Sequence, residues 1–134
     1  MHTLKATIES LNSNHSAYIN NLDGVVATGS TFAEVKDNLI EAINVFIETC
    51  KETGCELPKE LQGNYRIEFK MDVKSLLSLY TGIFTKSGLE RLTGINQKQL
   101  WHYANGNSVP RRAQVLKIEK ALHNLGAELL SLHL

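Results

Sequence analysis

Residues 85–106, TKSGLERLTGINQKQLWHYANG, carry two short helical patterns that meet at a glycine. Thr85 suits an N-cap, because its hydroxyl can accept from a first-turn amide. Leu89 and Leu92 make an apolar stripe, Gly94 stands where a left-handed C-terminal residue is wanted, and Ile95 points back toward a core. Asn96 can cap the second helix. On that helix Leu100 and Tyr103 share one face, while Gln97, Lys98, Gln99 and His102 share another. Asn105-Gly106 stops it. One buried face and one face of amides and a cation is the arrangement of a DNA-reading helix-turn-helix.

Such a motif assigns roles by position. Gln97 and Lys98 open the recognition helix and are expected at base edges, with Gln suited to adenine and Lys to guanine or phosphate. Gln99 belongs to the same polar face, and His102 follows one turn on. Lys86, Asn105, Arg111 and Arg112 are placed for phosphates. For Trp101 a packing role against the preceding helix is expected, with a dimer contact or the DNA backbone as alternatives. A purely structural four-helix domain could use the same glycine turn. The polar opening of the second helix, the flanking helices and the Arg111-Arg112 pair favour DNA.

A chain of 134 residues can hold one ordinary domain or two small ones. Its 43% hydrophobic and 21% charged content is that of a soluble globular protein. No apolar run approaches a membrane span, and the opening MHTLKATIES has no signal-peptide pattern, so cytoplasmic residence is expected. Cys50 and Cys55, the two cysteines, are expected as reduced thiols, with Cys50 on a buried helix face. The formal net charge is zero but unevenly spread. Residues 1–70 hold six basic and ten acidic side chains, and residues 71–134 hold eight and four, so the halves carry −4 and +4. A basic half suits DNA, and an acidic half suits a basic partner.

Ahead of the opening stretch, LKATIESL alternates as a half-buried strand, followed by a turn at Asn12 to Asn14 and a second strand with Ala17 and Ile19 on one side. Asp23-Gly24 marks another turn, and Val25 to Ala27 a short third strand. Thr31-Phe32-Ala33-Glu34 fits a capping box. It opens a long helix with Phe32, Val35, Leu39, Ile43, Phe46, Ile47 and Cys50 at helical spacing, closed by Gly54. Residues 55–64 read as a polar loop, and YRIEFKMD alternates as a fourth strand. Asp72 can cap a helix bearing Val73, Leu76, Leu77 and Tyr80 that ends near Gly82. Beyond the helix-turn-helix, Pro110 is placed for the first turn of a last helix with Val115, Ile118, Leu122 and Leu125 as its stripe. Gly126 is expected to end it, and the Leu130, Leu132, Leu134 alternation suggests a short strand or a dimer contact. The expected fold class is α+β: a β-β-β-α-β domain over residues 1–71, then an all-α helix-turn-helix domain over residues 72–134.

No catalytic constellation stands out. Glu9, Asp23, Asp37 and Glu41 are the N-terminal acids that could converge, but their spacing sets up no metal pair, and there is no GxxxxGK or HExxH. Neither catalysis nor a cofactor or metal is expected; a nuclease acting on RNA–DNA hybrids is the enzymatic alternative.

GVVATGSTFAEVKDNLIEAINVFIE, residues 24–48, combines a glycine turn, a short strand, Gly-x-Thr and a long amphipathic helix. This pattern resembles the HicB antitoxins of bacterial type II toxin–antitoxin systems, whose N-terminal domain is similar to a truncated ribonuclease H sheet. The second half is similar to the Cro and phage-repressor class of helix-turn-helix domains found on some of these antitoxins. The resemblance implies a protein that neutralises a HicA-type mRNA-cleaving toxin, and that represses its own operon as a homodimer or higher oligomer on operator double-stranded DNA. The alternative is a stand-alone helix-turn-helix transcription regulator whose N-terminal domain binds a ligand or another protein.

Overall fold

The computed structural model describes residues 1–11 and 14–134. The chain is a mixed α+β protein that divides into two compact units, Met1–Ser75 and Leu76–Leu134.

In the first unit, β1 (His2–Leu11), β2 (Asn14–Ile19), β3 (Val26–Gly29) and β4 (Tyr65–Lys70) form one sheet in the order β3-β2-β1-β4. β1 pairs antiparallel with β2, and β2 with β3, whereas β4 runs parallel to β1. That parallel pairing needs a crossover, and α1 (Phe32–Thr53) supplies it. The sheet buries one face. Leu4, Ala6, Ile8, Ala17, Ile19 and Ala27 alternate inward, as period-2 patterning requires, and Val35, Leu39 and Ile43 of α1 cover them. Phe32 also meets Phe69 of β4 edge to face, with ring centroids 5.1 Å apart. The strand boundaries extend beyond the alternating residues at several ends. Of the expected Asn12 to Asn14 turn, Asn12 and Ser13 lie outside the described residues, and Asn14 already belongs to β2.

Three local expectations change. Thr31 does accept from the Glu34 amide, at 3.1 Å, but the Glu34 carboxylate turns to the Ser30 hydroxyl, 2.9 Å away. The cap is therefore completed by Ser30 and not by the reciprocal bond of a capping box. The polar loop contains a single 3-10 turn, Lys59–Leu61, which buries Leu61 in the core. Cys50 and Cys55, expected as thiols, are joined by a disulfide. The cause lies in the helix end: Gly54 takes a left-handed φ of 74°, the Cys55 amide donates back to the Cys50 carbonyl, and the two Cα atoms come within 5.0 Å.

Asp72 caps α2 (Val73–Leu79) by accepting from the Ser75 amide at 2.7 Å. The division between the units falls within this helix. The second unit holds α3 (Lys86–Thr93), α4 (Gln97–Ala104) and α5 (Arg112–Ser131). Its core consists of Leu77, Leu89, Thr93, Ile95, Leu100, Tyr103 and Ile118. Two expectations about α5 are corrected. Arg111 has extended dihedrals and serves as the N-cap, so Pro110 stands ahead of the helix and not in its first turn. Gly126 does not end the helix. A single interior glycine costs only about 1 kcal/mol, and the Ala127, Glu128, Leu129 and Leu130 that follow are good helix formers. The helix therefore runs on to Ser131, and Leu130 stands exposed instead of entering a strand. Among the described residues no helix is long and apolar enough to cross a membrane.

Gly29 closes β3 against the first turn of α1. A Cβ added there would lie 2.9 Å from the Val35 amide nitrogen, closer than real contacts allow, and a tight 3.1 Å from the Glu34 Cβ. Gly29→Ala is expected to cost about 1–3 kcal/mol through that overpacking. Thermal unfolding of the full chain should show the loss, and an unchanged midpoint would contradict this account of the helix–strand approach.

Candidate functional site

The site is built from α3, the turn that follows it, and α4. Thr85 starts α3 by accepting from the Gly88 amide at 3.0 Å. The turn is braced by Thr93, which is buried. Its hydroxyl donates to the Leu89 carbonyl at 2.7 Å and accepts from the Ile95 amide at 3.1 Å. Between them Gly94 takes φ 76°, a left-handed conformation that costs a residue with a Cβ about 1–2 kcal/mol. Its amide donates to the Glu90 carbonyl at 2.7 Å. Asn96 then caps α4 by accepting from the Lys98 amide at 2.8 Å.

A second link was not legible in the sequence. The Glu90 carboxylate accepts from the Gln97 amide at 2.9 Å, satisfying a free donor at the start of α4 with a side chain from α3. The spacing from Glu90 to Gln97 matches no local capping rule, so only the folded turn brings the two together. A carboxylate at a helix N-terminus also complements the positive end of the helix dipole.

With its start held by Asn96 and Glu90, α4 buries Leu100 and Tyr103 and turns the other side outward. Gln97 and Lys98 are exposed on the first turn. Asn105 is exposed at the C-terminal end, where its side-chain amide donates to the Trp101 carbonyl at 2.8 Å. Arg111 and Arg112 are exposed at the start of α5. Lys86 is half-buried at the first position of α3.

Besides Asn105, two more of the expected site residues have side-chain partners within the unit. Gln99 lies half-buried and its amide nitrogen donates to the Ser108 hydroxyl at 3.3 Å, tying α4 to the loop before α5. His102 is half-buried, with its Nδ1 3.4 Å from the Asn107 side-chain nitrogen. The packing role expected for Trp101 is not what the structure has. Trp101 is 51% exposed on the outer face of α4, its ring edge-on to His102 at 5.2 Å between centroids.

The unit holding this face has seven Lys and Arg against three acids, a net charge of +4. Chemically the face offers amides that can both donate and accept, together with cations for anionic groups. Among the described residues no three His, Cys, Asp or Glu side chains are grouped to hold a metal ion.

If Glu90 sets the start of α4, Glu90→Ala should release the Gln97 amide at a cost of about 1 kcal/mol. Amide hydrogen exchange should show faster exchange at Gln97, with Glu90→Gln restoring part of the protection. Unchanged exchange in the alanine variant would show that the Glu90 carboxylate does not hold the Gln97 amide.

No protein-family model matches the chain, and neither a curated protein nor a solved structure does.

Proposed function

We propose that the protein is a HicB-type antitoxin and autorepressor. In this reading α3, its turn and α4 form a helix-turn-helix of the Cro and phage-repressor class, and α4 is the recognition helix. The observation that carries it is the outward face of α4. Gln97 and Lys98 are exposed on the leading turn of a helix whose start is doubly capped, with Arg111 and Arg112 exposed beyond its end. Gln97 would take an adenine edge and Lys98 a guanine edge or a phosphate, while Asn105, Arg111, Arg112 and Lys86 bind phosphates. Gln99 and His102 support this face through Ser108 and Asn107. Base contacts on a single short helix supply little affinity, so the operator is bound by a homodimer or higher oligomer on repeated half-sites.

The first unit, a truncated ribonuclease H-like scaffold in this reading, neutralises a HicA-type toxin. Support comes from its charge of opposite sign to a basic toxin. Asp37, Glu41, Glu48 and Glu52 stand exposed along the solvent side of α1, at spacings that place them on one stripe. The unit acts as a binding surface in a cytoplasmic protein, with no cofactor.

The double substitution Gln97→Ala, Lys98→Ala separates the two jobs. Each lost base contact should cost about 1–3 kcal/mol in operator affinity, so repression of the protein's own promoter is lost. Growth rescue against a small basic toxin encoded beside the gene should remain. Normal repression by the double variant would refute the recognition-helix assignment, and failure of the unmodified protein to rescue growth would refute the antitoxin role.

A further inference from the structure

At about 3.6 residues per turn, Gln97, Trp101 and the C-cap Asn105 form a row that drifts gradually around α4, with Lys98 beside it. Trp101 is therefore the middle of the exposed row and not an outlier at its margin. A single exposed apolar side chain on a protein surface is ordinary. What singles out Trp101 is its neighbours. The two side chains assigned to base edges occupy the turn just before it, and Asn105, assigned to a phosphate, lies one turn after it. No approach of Gln97 and Asn105 to DNA leaves the residue between them outside the interface. The helix is also regular there, since the Trp101 carbonyl is held by both the backbone and the side chain of Asn105, and the ring is set edge-on against His102.

We infer that Trp101 is a specificity-determining residue of α4 whose indole covers the 5-methyl group of a thymine in the major groove. This rests on the proposed DNA-binding role of the helix. An indole carries no charge for a phosphate and a single donor, Nε1–H, so most of its surface needs an apolar complement. Among the base edges of the major groove the thymine methyl is that complement. Trp101 therefore adds a preference for thymine beside the base read by Gln97, and its contact differs in kind from the hydrogen bonds made by its neighbours.

Trp101 is the sole tryptophan of the chain, so the unmodified protein reports on itself. Duplexes enriched by the full-length chain from a random-sequence library serve as the probe. On binding them, Trp101 emission should change and become shielded from iodide. Replacing thymines by uracil one at a time should weaken binding about fourfold at one position per half-site, the equivalent of about 0.8 kcal/mol for one buried methyl. In Trp101→Ala that uracil penalty should vanish, while discrimination at the Gln97-dependent position persists. An enriched duplex that leaves Trp101 open to iodide, tolerates uracil everywhere, or keeps its uracil penalty in Trp101→Ala overturns the inference and leaves DNA binding intact. If no sequence is enriched, the DNA-binding reading falls and the inference with it.

Discussion

The candidate site depends on one turn. Gly94 reverses the chain in a left-handed conformation, and the backbone groups exposed by that reversal must find partners away from water. Thr93 bridges two of them with a single hydroxyl, and the Gly94 amide reaches back to the Glu90 carbonyl. The same Glu90 uses its carboxylate on the first amide of α4. One short segment thus closes α3, opens α4 and sets the direction in which Gln97 and Lys98 project. Ile95, buried within the turn, anchors it to the core of its unit.

In the first unit the equivalent constraint is the approach of α1 to β3. Gly29 allows the strand end to lie against Val35 without a side chain between them. The Asn38 side chain then donates to the Thr28 carbonyl at 2.8 Å, clipping the helix to the edge strand. With α1 fixed there, its apolar side covers the sheet and its acidic side is left to solvent. The proposed division of labour follows from this: the first unit presents negative charge on a helix, and the second presents positive charge and amides on another.

Much of this was legible in the sequence because it is local. The caps at Thr31, Thr85, Asp72 and Asn96, the left-handed glycines 54 and 94, and the alternation of Leu4, Ala6 and Ile8 all follow from rules spanning a few residues. What is not legible lies where distant or competing effects decide. Glu90 reaches Gln97 only through the folded turn, and the Gln99 contact with Ser108 depends on the loop before α5. Gly126 reads as a stop, but the helix formers after it outweigh its modest cost. Cys50 and Cys55 read as ordinary reduced thiols, and the Gly54 turn brings them together. For Trp101 the sequence favours packing against the preceding helix over a dimer contact or the DNA backbone. Its exposure is set by the burial of Leu100 and Tyr103, which fixes the rotation of α4 and leaves position 101 facing outward.

The central claim is that the outward face of α4 is the surface that meets DNA. It is tested most directly by following the backbone amide signals of the full chain as duplex DNA from its own promoter is added. The account predicts changes concentrated at Lys86, at residues 97–105 and at Arg111 and Arg112, weakening as salt is raised because phosphate contacts release counterions. Changes confined to the sheet or α1, or no change at low salt, would contradict it.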